Sequence, residues 1–194
     1  ASNGEDLPGR GWAGRALDGV TTGQTDAIFV GDADVPRSLH GRRSCVTSLV
    51  PGKKIELQSA INPNLGFGRM DHVLDAYDSA NKLEQPTKRS RQSYPGSQLG
   101  QSLRTIAQFI GIESSARIYY ALQRGYDTHN AQAASHGALL SDFSGSLKAF
   151  LDDLQSQNLQ DRVAVIAFSE FGRRVSENGS AGTDHGTAGP VFVA

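Results

Sequence analysis

Five side chains with metal-binding chemistry lie in two loops of the second half of this sequence. The first loop reads GYDTHN (125–130) and the second reads SEFGRRVSENGSAGTDHG (169–186). The carboxylates and imidazoles are those of Asp127, His129, Glu170, Asp184 and His185. Oxygen and nitrogen donors of this kind suit zinc, manganese, magnesium or iron. Carboxylates brought together without a cation would repel one another, so the set predicts a divalent metal site.

An arginine pair in the second loop predicts an anionic ligand. Arg173 and Arg174 are adjacent, and a guanidinium can hold an anionic oxygen through two parallel hydrogen bonds. The glycines of this loop allow the backbone to fold back, so that Asp184 and His185 can reach the same place as Glu170. We therefore predict that the two arginines contact a substrate anion beside the metal site.

A strand–helix–strand unit is expected to bring the two loops together. ARIYYAL (116–122) and RVAVIAF (162–168) are apolar and β-rich, which indicates strands, the second one covered on both faces. Between them, apolar residues at helical spacing from Leu139 to Leu154 predict a long helix, with Asp153 on its polar face. Strands joined in this way are parallel neighbours through a right-handed crossover. Because ligands bind at the carboxyl ends of such strands, both loops should lie at one edge of the sheet.

Apolar patterns predict three further elements. Residues 8–19 favour a short helix with Trp12 and Leu17 buried. DAIFVG (26–31) is typical of a short buried strand that ends at a glycine. Residues 99–110 place their apolar side chains on one face of a helix. Together with the strand–helix–strand unit, these elements predict an α/β protein with a mostly parallel sheet flanked by helices.

The region of about 36–98 has a less regular pattern. Helical spacing predicts a helix over 70–83, and the polar, proline-containing residues 84–98 indicate a surface loop. We interpret about 36–98 as an irregular insertion in a single α/β domain of residues 1–194. The first residues read as loop and the last, PVFVA, as a strand that only begins, so we expect the sequence to be part of a longer chain.

Composition argues against several classes of function. The chain has 194 residues, 38% of them hydrophobic, and a formal charge of −1, so neither nucleic acid nor an acidic membrane surface is an expected partner. Its one cysteine, Cys45, allows no internal disulfide and no cysteine-rich zinc site, and is interpreted as a small hydrophobe. No apolar stretch approaches the roughly 18 residues that span a bilayer, and the first residues lack the features of a signal peptide.

Motifs of the second half resemble those of the domain-of-unknown-function family numbered 1501. The similar segments are GYDTHNAQ, VAVIAFSEFGRRVSENGSAGTDHG and the PVFVA strand that follows, and GWAGRALDG near the start adds weaker support. That family is related to the alkaline phosphatase and sulfatase superfamily. The resemblance implies an alkaline-phosphatase-like fold with a metal site at the strand ends. It also implies a periplasmic or extracytoplasmic location, since members of the family are often exported by a twin-arginine signal.

The resemblance further implies roles for individual residues. Asp127, His129 and the later His185 look like ligands of one metal, where Asp184 assists His185. Glu170 looks like the acidic ligand of a second metal. In the superfamily two ions clamp a phosphate or sulfate ester while a Ser, Thr or modified Cys attacks it. The expected cofactor is a divalent ion such as zinc, manganese, magnesium or calcium, and the expected substrate is a small-molecule or glycan ester.

Three hypotheses follow for the function. The first is a metal-dependent hydrolase of phosphate or sulfate esters. The nucleophile of the superfamily follows its first strand, but residues 1–116 offer no counterpart, so the nucleophile is not identified in this chain. That gap favours the second hypothesis, a non-catalytic metal- or anion-binding domain on the same fold. The third is a network of ion pairs that braces the loop, with Glu170 paired to Arg173 or Arg174.

Overall fold

The computed structural model describes residues 10–21, 25–51, 58–59 and 92–194. The α-helices in these ranges are α1 (Trp12–Asp18), α2 (Gln98–Gly111) and α3 (Gln132–Ser156). The strands are β1 (Thr25–Val30), β2 (Cys45–Leu49), β3 (Gln58–Ser59), β4 (Ile118–Ala121), β5 (Ile166–Phe168), β6 (Gly172–Arg173), β7 (His185–Gly186) and β8 (Val191–Val193). The chain divides into two compact units, one within residues 1–90 and 101–122, the other within 91–100 and 123–194. The helix predicted over 70–83 lies outside the described residues.

The first unit is built on a four-stranded sheet in the order β3-β2-β1-β4. β1 runs parallel to both β2 and β4, whereas β3 is antiparallel to β2. Every residue of β1 is buried, as expected for a central strand that is covered on both faces. The structure therefore confirms an α/β protein with three parallel strands, and it confirms the strands predicted at 26–31 and 116–122.

Helices account for the burial of β1, whose successive side chains point to opposite faces of the sheet. Phe29 belongs to a hydrophobic cluster with Ala13 and Leu17 of α1. Ile28 points the other way and lines a small cavity together with Phe109 of α2. The sheet is therefore flanked by helices, and the helix predicted over 99–110 is confirmed as part of α2.

Two details of the first unit differ from the predictions. Leu17 is buried, but Trp12 is 54% exposed, because α1 turns the face of Ala13 and Leu17, which are four residues apart, towards the core. β2 lies in the region interpreted as irregular. Its Thr47 and Ser48 are polar but buried, so the strand shows neither alternation nor a continuous apolar run. Part of the predicted insertion is thus a strand of the sheet.

The carboxylate of Asp18, at the end of α1, fixes the loop that leads into β2. It accepts hydrogen bonds from the backbone N–H groups of Arg42 at 2.6 Å, Arg43 at 2.7 Å and Ser44 at 2.9 Å. Burial by itself raises the pKa of Asp18, but these hydrogen bonds outweigh it and hold the pKa below its ordinary value. The ionised carboxylate therefore stabilises this loop in the folded state.

Replacing Asp18 with Asn should lower the free energy of unfolding by about 1–2 kcal/mol near neutral pH, because a neutral amide accepts these hydrogen bonds more weakly. Since the folded pKa lies below the unfolded one, the stabilisation is present above about pH 4 and is lost as the pH falls through the folded pKa. Urea unfolding of the wild type and D18N across acidic pH measures both effects.

The matched control for this comparison is D152N. Asp152 forms a solvent-accessible i,i+4 ion pair with Lys148, and such pairs contribute only about 0.5 kcal/mol or less. A difference between the wild type and D18N that stayed constant into strong acid would contradict the assignment of Asp18.

In the second unit, α3 confirms the predicted long helix. Leu154 is buried, but Leu140, on the predicted apolar face, is 45% exposed. Asp153, predicted on the polar face, is only 1% exposed, and this prediction is wrong. The Asp153 carboxylate accepts hydrogen bonds from the hydroxyl of Tyr94 at 2.9 Å and the amide of Gln157 at 3.2 Å, which replace the water it loses. No helix in the described part of the chain is long and apolar enough to cross a membrane.

The predicted pairing of the strands at 116–122 and 162–168 is not found in the described residues. β4 pairs with β1, whereas β5 pairs antiparallel with β8. β5 is not covered on both faces either, since Ile166 is 56% and Phe168 45% exposed. Residues 160–162 form a 3₁₀ helix, and within the apolar run β5 covers Ile166–Phe168. A continuous apolar run indicates a strand, but it does not specify the partner.

Candidate metal site

Asp127, His129 and His185 form a compact cluster in the second unit. Nε2 of His129 lies 3.0 Å, and Nε2 of His185 lies 2.8 Å, from the same oxygen of Asp127, Oδ1. One ligand atom from each residue lies within 4.8 Å of the other two. All three residues are exposed, so the cluster opens to solvent. The structure thus brings together three of the five predicted ligands.

These residues lie in two loops, and the strands that precede the loops, β4 and β5, belong to different sheets. Asp127 and His129 lie in the loop between β4 and α3, which we call the DTH loop (125–131). His185 lies near the end of the return loop (169–186), where it begins β7. β7 pairs antiparallel with β6, with His185 opposite Arg173. This short ladder turns the return loop back on itself and brings His185 to the DTH loop.

Backbone hydrogen bonds join the two loops beside the cluster. The N–H groups of Ala131 and Gln132 donate to the carbonyl oxygens of Ser180 and Ala181, each at 2.9 Å. Ala131 and Ala181 have φ angles of 40° and 56°, a left-handed conformation that is uncommon for a residue with a side chain. The pairing therefore holds both loops in a backbone geometry that neither alanine favours by itself.

Asn178 connects the two loops through its side chain, and sequence reasoning missed it. Its Nδ2 donates to the carbonyl oxygen of His129 at 3.0 Å and to Oδ1 of Asp184 at 3.2 Å. Its Oδ1 accepts from the backbone N–H groups of Ser180 at 2.9 Å and Gly182 at 3.1 Å. In the sequence, Asn-Gly reads only as a turn signal. The amide's capacity to donate and accept at once was the signal that could have found it.

An aromatic stack orients the two imidazoles. The Phe171 ring lies parallel to the His185 ring, with centroids 4.1 Å apart and an angle of 11° between the planes. The His129 ring contacts the same imidazole at a tilt of 34°, with centroids 4.8 Å apart. Stacked rings restrict rotation about the side-chain bonds. The stack thus helps to hold Nε2 of His185 towards Asp127.

The other two predicted ligands differ in position. Oδ1 of Asp184 lies 3.9 Å from Nδ1 of His129, beside the cluster but beyond hydrogen-bond distance. Glu170 is exposed and does not belong to the three-residue group found in the described residues. In that part of the chain, no ion pair joins Glu170 to Arg173 or Arg174. Ligation of a second metal by Glu170 stays a prediction.

The two arginines occupy different environments. The Arg173 guanidinium lies between the loops and donates to the backbone carbonyls of Tyr126 and Thr183. The Arg174 side chain is 66% exposed, and its Nη1 lies 4.0 Å from a carboxylate oxygen of Asp184. Of the two, Arg174 is therefore the one that is open to a dissolved anion.

Electrostatics keep the central carboxylate ionised. The hydrogen bond from His185 lowers the pKa of Asp127, and the bond from His129 lowers it further. Burial opposes them but does not cancel them. Asp127 is therefore a carboxylate over the whole neutral range and offers the charged oxygen that a cation requires.

The three donors fit a divalent cation. Two ligands that each lie about 2.1 Å from a common ion are about 3.0 Å apart at a right angle and about 3.4 Å apart at the tetrahedral angle. Nε2 of His185 and of His129 lie 2.8 Å and 3.0 Å from Oδ1 of Asp127, close to these values, and the three ligand atoms lie within 4.8 Å of one another. A set of three donors open to solvent leaves coordination positions for other ligands.

Fold and site together define an α/β protein with an exposed cluster of one carboxylate and two imidazoles on paired loops. The chain belongs to the family described as protein of unknown function (DUF1501), whose model matches residues 1–194. This confirms the family expected from the loop motifs. Comparisons with curated proteins and with solved structures gave no match. The function must therefore be argued from the site.

Replacing Gly182 with Ala should separate the two loops, because its Cβ would lie 2.3 Å from the carbonyl oxygen of His129. At Gly179, in the same loop, an added Cβ meets nothing within 4 Å, so G179A is the matched control. We expect amide hydrogen exchange at Ala131 and Gln132 to accelerate at least about tenfold in G182A, as local opening becomes easier. Equal exchange in G182A and G179A would show that the loops do not depend on this contact.

Proposed function

We propose that this protein is a divalent-metal-dependent hydrolase of phosphate or sulfate esters. The observation that carries the proposal is the convergence of Asp127, His129 and His185, from two loops, into one cluster that is open to solvent. An ionised carboxylate and two imidazoles, held by other side chains of the same loops, are a donor set that metal-dependent hydrolases use. Membership of the family supports the comparison with the alkaline phosphatase and sulfatase superfamily, which the loop motifs resemble.

The donor set favours a transition metal over magnesium or calcium. Magnesium and calcium prefer all-oxygen ligands, whereas imidazole suits zinc, iron and related ions. A structural zinc site is closed by four protein ligands, but the cluster supplies three from the described residues. We therefore expect a bound zinc-like ion that keeps a position for a substrate or water.

The chain's own groups support hydrolysis in defined ways. When bound, a divalent ion polarises an ester oxygen and lowers the pKa of a coordinated water. Asp127 supplies negative charge to hold the ion, and Phe171 keeps the His185 ring in place. Arg174 is exposed near Asp184, and we propose that it meets the negative charge of a phosphate or sulfate group.

The fold that we propose is alkaline-phosphatase-like. Its support is the parallel arrangement of β1, β2 and β4, the helices on both faces of that sheet, and the metal-ligand chemistry in the loop that follows β4. A crystal structure with the strand order of a different α/β fold would overturn this assignment.

A specific observation favours a second candidate, a non-catalytic metal- or anion-binding domain. Thr128 lies between two of the ligands in sequence, but its hydroxyl oxygen is buried and is therefore not placed to attack an ester. No nucleophile was identified from the sequence either. The third hypothesis, a bracing ion-pair network, loses its main support because Glu170 does not pair with either arginine in the described residues.

Metal loading is the first test of the proposed site. After removal of metal with a chelator, the protein should take up one zinc or cobalt(II) ion per chain, measured by elemental analysis and calorimetric titration. Magnesium and calcium should bind at least about tenfold more weakly. His185→Ala should lose most of this affinity, while His40→Ala, an exposed histidine of the first unit, should retain it.

Turnover is then measured with an aryl phosphate and an aryl sulfate. Hydrolysis that requires the metal and disappears in H185A supports the hydrolase. Stoichiometric metal without turnover supports the binding domain. Failure to bind zinc, cobalt or manganese would overturn the hydrolase and leave only an anion-binding domain as the second candidate.

A further inference from the structure

The environment of Arg173 differs from that of a substrate-binding arginine. One terminal nitrogen, Nη2, donates to the carbonyl oxygen of Tyr126 at 2.6 Å, and the other, Nη1, donates to the carbonyl oxygen of Thr183. Its Nε is buried and has no hydrogen-bond partner within the described residues. Both terminal nitrogens therefore already donate to backbone carbonyls, and the Nε side of the guanidinium is turned away from a dissolved phosphate or sulfate.

The two carbonyl groups that Arg173 contacts lie one in each of the two loops that carry the metal ligands. Tyr126 directly precedes Asp127 in the DTH loop, and Thr183 lies two residues before His185 in the return loop. A planar guanidinium with fixed N–H directions sets the separation of the two carbonyls that it bridges. The position of Arg173 thus controls the distance between the backbone that carries Asp127 and the backbone that carries His185.

Arg173 is itself anchored on both sides. Its backbone pairs with His185 in the β6–β7 ladder, and its guanidinium carbon lies 5.2 Å from the centroid of the Phe171 ring. The same Phe171 ring is stacked on His185. The cation, the ring and the imidazole form one continuous contact, so a displacement of the guanidinium would be transmitted to His185.

We propose that Arg173 is a positioning residue, which aligns the DTH loop with the return loop through the Tyr126 and Thr183 carbonyls and so sets the spacing of Asp127 and His185. Its effect on metal binding rests on the proposed function, whereas its effect on the loops does not. Arg173 acts through the backbone of both loops and does not touch the substrate. The predicted contact with a substrate anion then falls to Arg174 alone.

The test compares Arg173→Gln with Arg124→Gln, an exposed arginine three residues before Asp127. Two measurements are made: the affinity for cobalt(II) with its visible absorption spectrum, and amide hydrogen exchange at Ala131 and Gln132 in metal-free protein. R173Q should bind cobalt(II) about 10–100-fold more weakly, as is typical when a group that orients metal ligands is removed. Exchange at both amides should accelerate, and R124Q should match the wild type in both measurements.

A second variant, Arg173→Lys, keeps the charge but cannot bridge two carbonyls with a fixed fork. It should fold like the wild type and still bind cobalt(II) more weakly, with an altered spectrum. Wild-type affinity and wild-type exchange in both variants would overturn the inference. If the wild-type protein takes up no cobalt(II), zinc or manganese, the proposed function fails. Exchange at Ala131 and Gln132 then decides by itself whether Arg173 aligns the loops.

Discussion

The candidate site depends on hydrogen bonds that hold two sequence-distant loops against each other. The contacts of Asp127 with His129 and His185 are exposed, and exposed pairs of this kind contribute little to stability, because water screens them. Such contacts do not offset the cost of ordering the loops, which is about 1–2 kcal/mol for the backbone of each fixed residue. The backbone pairing at Ala131 and Gln132 and the side chain of Asn178 must therefore supply the order.

This dependence explains where the backbone is strained. A left-handed conformation costs about 1–2 kcal/mol for a residue other than glycine, and both Ala131 and Ala181 adopt it. The two residues lie at the hydrogen-bonded junction of the loops, where neighbouring bonds determine the backbone angles. Gly182 follows directly, at the point where the two backbones are too close for any side chain. The strain and the glycine both result from bringing two backbones together beside the cluster.

Sequence patterns predicted the elements whose burial is marked by apolar side chains, either as a continuous run or at helical spacing. β1 is buried throughout and reads as an apolar run, and the spacing of apolar residues in α2 and α3 indicated both helices. β2 was missed because its buried Thr47 and Ser48 carry no apolar signal. The partner of β5 could not be predicted, because pairing is decided by contacts between residues far apart in the chain and not by local pattern. Asp153 shows the same limit, since one of the two groups that hydrogen-bond its buried carboxylate, the hydroxyl of Tyr94, is distant in sequence.

For the site, residue type predicted the cluster but not the groups that hold it. Asp127, His129 and His185 were found because carboxylates and imidazoles bind metals, and that chemistry is visible in a sequence. The expected route, through neighbouring parallel strands, was wrong in the described residues, and the β6–β7 turn brings His185 back instead. Asn178 was missed because the capacity of an amide to donate and accept does not specify its partners, of which His129 is distant in sequence.

Charged side chains in loops have two kinds of partner, and sequence reasoning considers mainly one of them. A metal or a substrate is one kind, and the unpaired N–H and C=O groups of the loop backbone are the other. In the first unit the carboxylate of Asp18 accepts from three backbone N–H groups. In the second unit the guanidinium of Arg173 donates to two backbone carbonyls. Because irregular loops leave many backbone groups without a ladder, a charged residue near a site has a structural use whenever it can reach them. Exposure separates the two uses here, since Arg174 remains open to solvent while Arg173 is partly buried and donates to both loops that it joins.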